Sequence, residues 1–341
     1  MQQDPAKPML TVVIPTLGRP FVVRTLASLA AAEGFADLEV LLVGKIQDPA
    51  VAEEIRALSE RYPQIQHLPV AFTSGDSSQK KNIGWRTARA DIVAFLDDDV
   101  EVMADWVIKI LEPFEASAVG LVSGPSLVPE DIPLAARLAG QALSSLAAGY
   151  VAHRYLRGQG APREVGWSQI IGCNMACRKD LLLSLGGFDP SFWPGEEMIA
   201  AYQATGQSAR IIFHPQACVF HYPRISLGSF LRQMMGYGAT RIRLIRAGVA
   251  IEPSTLLPGL GILGLLILLP GALVSPWLAR ILGVGLMLYA ALVIGATLLK
   301  LGNTRRWADL LLLLYIPLMH LSYGIGEWLE CLRPNRDLSQ R

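Results

Sequence analysis

The chain has 341 residues, of which 52% are hydrophobic and 17% charged, with a formal charge of +1. That length holds one large domain or two smaller ones, and the near-neutral balance gives no electrostatic case for a nucleic-acid partner. The apolar excess is concentrated at the C-terminus, so the two ends face different problems.

The first eight residues are polar and contain no apolar signal-peptide core, so the first domain is expected on the cytoplasmic side. Residues 10–15 are an apolar run closed by the turn Pro15-Thr16-Leu17-Gly18-Arg19-Pro20, which predicts a strand followed by a helix over 21–32. Further strands are predicted at 38–43, 65–70 and 92–96, with helices at 50–61 and 80–90 between them. This alternation predicts a parallel, doubly wound α/β sheet, whose ligands bind outside the carboxyl ends of the strands.

At the end of the fourth strand stand Asp97, Asp98 and Asp99. Three carboxylates there repel one another and are costly to bury. Mg²⁺ or Mn²⁺ with a bound diphosphate relieves that cost, because hard cations take oxygen ligands and often share them with phosphates. The plain alternative is a solvated acidic turn.

Beyond residue 126 the pattern is mixed. A segment rich in Ala and Leu covers 134–151 and suits a helix, either in a core or at a membrane surface. Strands are expected at 174–178, 209–213 and 217–220, and helices at 178–185 and from 196 to 203. Cys173, Cys177, Cys218 and Cys331 match neither a zinc pattern nor a disulfide framework, so the first three read as reduced, buried hydrophobes.

Residues 226–250 form a basic amphipathic segment. Leu227, Phe230, Leu231 and Met234 recur at helical spacing, with Arg224, Arg232, Arg241, Arg243 and Arg246 around them. Such a helix suits the headgroup layer of a membrane. The membrane domain, 251–332, carries three apolar runs at 256–274, 281–299 and 310–328, each near bilayer length. Lys300, Arg305 and Arg306 place the loop after the second run in the cytoplasm. A third crossing then puts the tail, 333–341, outside with Arg333, Arg336 and Arg341, against the same rule; a re-entrant or interfacial segment removes the conflict. His320 and Glu327 lie in the third run, read as a packed polar contact and as helix-end snorkelling, respectively.

Several separated motifs occur in order. They are Val12-Val13-Ile14-Pro15-Thr16, Gln79-Lys80-Lys81-Asn82, the aspartate triplet, Gly172-Cys173-Asn174, Gly186-Gly187-Phe188-Asp189, Gly195-Glu196-Glu197 and Val219-Phe220-His221. Together the chain resembles the family-2 inverting glycosyltransferases of GT-A fold, over about residues 10–245, and its membrane segments resemble those of bacterial exopolysaccharide or glycolipid enzymes, such as the succinoglycan glucosyltransferases. The resemblance implies a cytoplasmic GT-A domain over 1–225 on a multi-pass protein of the bacterial inner membrane. It implies a nucleotide-diphospho-sugar donor, UDP-sugar first and GDP-sugar second, and a lipid-linked acceptor.

By the same resemblance Pro15, Thr16, Lys81, Asp97 and Asp98 would bind the donor, and Asp99 and His221 would hold Mg²⁺ or Mn²⁺. Gly172, Cys173, Asn174 and Glu196 would line the acceptor side, and Glu197 would be the general base. For Lys80 and Lys81 the plain reading is a solvated helix start. The family usually ends its second strand with a base-reading Asp, whereas Val43 here runs into Gly44-Lys45-Ile46 with no acid before Asp48. Two other readings remain: transfer to polyprenyl phosphate, whose ionised oxygen needs no strong base, and a silent subunit of a polysaccharide assembly complex.

Overall fold

The computed structural model describes residues 7–71, 77–192, 194–223 and 225–333. Arg224, Arg336 and Arg341, counted above among the positive charges, lie outside the described residues. The chain divides into two compact units: 1–127 with 156–222, and 128–155 with 223–341.

The first unit opens with β1 (Leu10–Thr16), α1 (Phe21–Ala30), β2 (Leu38–Gly44), α2 (Pro49–Arg61), β3 (Ile65–Leu68), α3 (Ser77–Thr87) and β4 (Ile92–Leu96). Strands β1 to β4 pair in parallel, as the alternation predicts. β5 (Val100–Val102), α4 (Trp106–Leu111), β6 (Val119–Ser123) and β7 (Ser126–Leu127) follow. α5 (Leu134–Leu143) belongs to the second unit, and the first resumes with β8 (Arg163–Glu164), β9 (Asn174–Arg178), α6 (Lys179–Leu185), α7 (Glu196–Gly206), β10 (Arg210–Phe213) and β11 (Val219–His221).

The main sheet has the order β3-β2-β1-β4-β9-β6-β10-β8. It is mixed rather than wholly parallel, because β9 runs antiparallel to both β4 and β6. Its two faces carry separate cores, as strand alternation requires. Val12 and Ile14 pack with Leu26, Ile55 and Trp106 on one face, and Val13 packs with Trp85, Phe95 and Phe188 on the other. Cys173 and Cys177 fall in these opposite cores, each a free buried thiol. A second, three-stranded sheet has the order β5-β11-β7.

The second unit contains α5, α8 (Leu227–Arg246), α9 (Leu257–Val274), α10 (Pro276–Thr304) and α11 (Leu312–Cys331). Segment 128–155 therefore packs with the C-terminal helices and departs from the expected 1–225 domain. The reason lies in its apolar face: Leu138, Ala139 and Ala142 share a core with Phe230, Met234, Val293, Ile316 and Met319. Among the described residues, three segments are long and apolar enough to cross a membrane, Pro253–Val274, Pro276–Thr304 and Trp307–Cys331. His320 is a packed polar contact, bonded to the Tyr289 hydroxyl at 3.0 Å and the Ala147 carbonyl at 2.9 Å. Glu327 does not snorkel. It is 2% exposed, and its Oε2 accepts the Gly259 N–H at 2.7 Å, in the first turn of α9, whose start has no side-chain cap of its own.

Candidate active site

The aspartate triplet at the end of β4 splits into one framework residue and two site residues. Asp98 is 8% exposed, and its Oδ2 accepts the Thr16 hydroxyl at 2.6 Å and the Leu17 N–H at 3.0 Å. Thr16 Oγ1 in turn accepts the Gly18 N–H at 2.9 Å, and the Asp98 carbonyl accepts the Thr25 hydroxyl at 3.1 Å. These bonds tie the end of β4 to the turn between β1 and α1. Pro15 is buried within β1, and Thr16 is spent on the same turn. The sequence places Asp98, Pro15 and Thr16 on the donor; the structure shows what they do for the chain itself.

Asp97 and Asp99 are partly exposed, and with His221 they bring one ligand atom each within 4.8 Å of one another. His221 Nε2 lies 3.1 Å from Asp99 Oδ1. The second sheet makes this approach: β11 runs antiparallel to β5 with His221 opposite Val100, and the Tyr222 N–H donates to the Asp99 carbonyl at 3.1 Å. Burial, aided by repulsion from Asp99, pushes the Asp97 pKa up to about 6, against the pull of Lys81 and His221. Crowded negative charge of this kind favours a cation. Two carboxylates and an imidazole suit Mn²⁺ or Mg²⁺, so the residues present fit such an ion.

The acidic pair also divides. Glu196 and Glu197 occupy the first turn of α7, where the helix dipole favours negative charge. Glu196 is buried in an ion pair with Lys81 at 2.9 Å, the side chains being 4% and 3% exposed, and accepts the Ser77 hydroxyl at 2.7 Å. Burial by itself raises a carboxyl pKa, yet Lys81 and the hydrogen bonds from Lys81 and Ser77 hold Glu196 below the usual range. Burial likewise lowers the Lys81 pKa, but Glu196, Asp97 and Glu197 together outweigh it and raise it. The four charged groups thus share one neighbourhood. Lys80 is buried too, its Nζ donating to the Thr16 carbonyl at 2.8 Å. The solvated helix start is therefore corrected for both lysines.

Glu197 is partly exposed, and its carboxyl group rests against Gly172. A Cβ at Gly172 would lie 3.1 Å from Glu197 Cδ and 3.3 Å from Oε2, so a side chain there would press that carboxyl group aside by a few tenths of an ångström. Cys173 is buried beside the triplet; burial above all, with Asp97 adding to it, holds its thiol well above the ordinary range, so it stays neutral.

Asn174 has no exposed surface. Its Oδ1 accepts the Trp106 indole N–H at 2.9 Å, and its Nδ2 donates to the Pro125 and Ala217 carbonyls at 3.1 and 2.8 Å. Those carbonyls stand just before β7 and β11, so the amide clamps the strand that delivers His221. With its amide so engaged, Asn174 has nothing to offer an acceptor, which corrects its expected place on the acceptor side. Sequence reasoning missed Trp106 and Ser77 as partners; each meets its partner only through the fold, and neither carries a local motif.

The second strand ends at Gly44, and its neighbour explains the missing acid. A Cβ there would fall 2.2 Å from the Thr16 carbonyl oxygen and 2.7 Å from Thr16 Cγ2. Asp48, the next acid, caps α2 by accepting the Ala50 N–H at 2.9 Å.

Comparison with known proteins gives the family and the fold. A family model described as "Glycosyltransferase like family 2" matches residues 7–236. A Mycobacterium tuberculosis protein named pre-mycofactocin glycosyltransferase is 29% identical over 217 residues, 63% of this chain and 42% of the relative. The succinoglycan biosynthesis protein ExoM of Rhizobium meliloti is 30% identical over 112 residues, 32% of this chain and 36% of the relative. The chain thus spans less than half the length of these curated relatives. The mannosyltransferase PcManGT of Pyrobaculum calidifontis, solved with GDP-Man and Mn²⁺, shares the fold with a TM-score of 0.58 at 17% identity, covering 95% of this chain and 88% of its own. Matched over more than half of its residues, the chain belongs to the glycosyltransferase-like family 2 and has the GT-A α/β fold.

Proposed function

We propose that the chain is an inverting, divalent-metal-dependent glycosyltransferase that moves one sugar from a nucleotide-diphospho-sugar to a lipid-linked saccharide at the cytoplasmic face of a bacterial plasma membrane. The Asp97–Asp99–His221 cluster at the strand ends carries this reading. Asp99 and His221, with Asp97, would hold Mg²⁺ or Mn²⁺, which when bound neutralises charge on the departing diphosphate.

The remaining chemistry belongs to the chain's own side chains. Glu197 takes the proton from the acceptor hydroxyl as its oxygen attacks the anomeric carbon from the face opposite the nucleotide, so that carbon inverts. The Lys81–Glu196 pair holds the first turn of α7, and with it Glu197, beside the cluster. UDP-sugars and GDP-sugars both remain candidate donors: Gly44 supplies no base-reading acid, and the Pyrobaculum enzyme holds GDP-Man. The apolar helices, with a relative named for succinoglycan biosynthesis, support a lipid-linked acceptor.

The test is transfer of radiolabelled sugar into a membrane lipid extract by purified protein with Mn²⁺, across UDP- and GDP-sugars. Glu197→Gln should lower kcat by about 10²–10⁴-fold while donor affinity stays. Full activity in both Glu197→Gln and Asp99→Ala would remove the mechanism. A Glu197→Gln enzyme that keeps its rate, with Asp99→Ala dead, points to polyprenyl phosphate as acceptor.

A further inference from the structure

The three apolar segments of the second unit are not equivalent in the structure. α9 and α10 are exposed on nearly every side, with Leu266, Leu273, Val274, Met287 and Leu288 all more than half exposed. α11 is exposed mainly on one apolar stripe, Leu314, Leu321, Ile325 and Leu329, with Leu313 and Cys331 bare beside it at the two ends and most other positions packed against protein. A helix bare on all sides suits the bilayer core, whereas an apolar stripe on a helix otherwise packed against protein suits the interface.

Its partner is α8, which runs beside it in parallel along its length. Phe230 stacks on Tyr315 near one end, and Arg246 reaches the Cys331 and Arg333 carbonyls at the other. Between them the backbones nearly touch: a Cβ at Gly238 would fall 2.0 Å from the Tyr323 oxygen, and one at Gly326 would fall 2.0 Å from the Met235 oxygen. The sixteen residue steps of α8 from Phe230 to Arg246 cover about 24 Å at 1.5 Å per step, so both helices occupy one layer. α8 carries Arg232, Arg241, Arg243 and Arg246, with Arg232 exposed, and a helix so charged does not sit in hydrocarbon.

The ends of α11 agree. α9 and α10 form a hairpin turning at Ser275, with Gly271 packed on Leu278. The segment before α11 meets the last turn of α10, where Thr304 hydrogen-bonds to Asp309. The far end of α11 meets the first turn of α9: Glu327 accepts the Gly259 N–H, and the Trp328 indole donates to the Gly259 carbonyl at 2.9 Å. Both ends of α11 therefore lie by the open end of one hairpin, on one face of a membrane. α10, at 29 residues or about 44 Å, exceeds a hydrocarbon core of about 30 Å, so its last turns emerge on that face. There Lys300 donates to the Ser144 hydroxyl at 2.8 Å.

We infer that only α9 and α10 cross the bilayer, and that α11 lies with α8 on the surface of the same bilayer, its Leu314–Leu321–Ile325–Leu329 stripe against the lipid. Arg305, Arg306, Arg246 and Arg333 then share one face, and the conflict over the tail's charge disappears. The inference rests on the membrane anchoring proposed above, not on the transfer chemistry.

The experiment uses the full chain with a protease-cleavable tag after Arg341, in sealed vesicles of both orientations. An Asn303→Cys variant, labelled with a membrane-impermeant maleimide and read by mass spectrometry, marks the face of the loop after α10. Tag cleavage from the face where residue 303 labels is the expected result. Tag cleavage only from the opposite face overturns the inference and leaves the transferase reading intact. Extraction of the protein by alkaline carbonate overturns the anchoring itself, a separate failure with its own readout.

Discussion

Strands β1 to β4 and the strands that follow them spend their charged residues differently. In the first stretch Glu39, Lys80, Lys81 and Asp98 are all buried and all bonded to other parts of the chain. After Asp99 the sheet turns antiparallel, a second small sheet appears, and His221, Gly172 and Glu197 gather near Asp97 and Asp99. Regular parallel pairing makes a rigid floor, while its interruption brings distant side chains to the floor's edge. Within three consecutive aspartates the boundary between these roles falls on both sides of Asp98.

The sharpest way to break that contrast is to compare neighbours. Asp99→Asn should abolish Mn²⁺ binding by titration calorimetry and lower the transfer rate by about 10²–10³-fold, with the melting temperature unchanged. Asp98→Asn should do the reverse, losing stability while Mn²⁺ affinity changes less than about tenfold. Equal effects on both properties from the two variants would erase the division.

Lys81→Met comes next. It leaves the Glu196 carboxylate buried without its cation, and denaturant unfolding should show a loss of about 3–5 kcal/mol. The double variant Lys81→Met/Glu196→Leu should regain part of that loss, because replacing both partners by apolar groups removes the unpaired charge. Asn174→Ala should cost about 1–3 kcal/mol, from unsatisfied partners at Trp106, Pro125 and Ala217. It should also weaken Mn²⁺ binding by about 10–100-fold, as expected of a residue that orients a ligand.

The narrowest effect, on stability alone and dependent on pH, lies at Glu39. Burial raises its carboxyl pKa, but the Thr11 hydroxyl and Arg89 outweigh that and hold it below the ordinary value. A depressed pKa adds stability above the unfolded-state value near 4.5, and that stability is lost as pH falls through the folded value. Glu39→Gln should therefore be less stable than the parent by about 1–3 kcal/mol at pH 7, with the gap closing in acid. A gap that persists at low pH would assign the effect to packing instead.

Much of this was legible in the chain. Apolar runs of strand length separated by helical spacing gave β1 to β4, and separated motifs gave the GT-A fold and the acidic corner. The antiparallel course of β9 was not legible, because an apolar run such as 174–178 carries no sign of direction. The roles of Asn174 and Glu196 were read from motif position, which cannot reveal that Trp106 or Lys81 already occupies them. Segment 128–155 was ambiguous for a similar reason: an apolar helical face shows that it will be covered, not by what. Glu327 reads as a charge near a helix end and turns out to close the start of a different helix.

The contact between Gly44 and the Thr16 carbonyl has a consequence for anyone redesigning donor choice. Grafting an aspartate onto position 44, the obvious route to a uridine-selective variant, would drive a side chain into the main chain of its neighbour and displace the loop that Asp98 secures. A change of nucleobase preference would have to be built elsewhere, or begin by relocating the end of the opening strand.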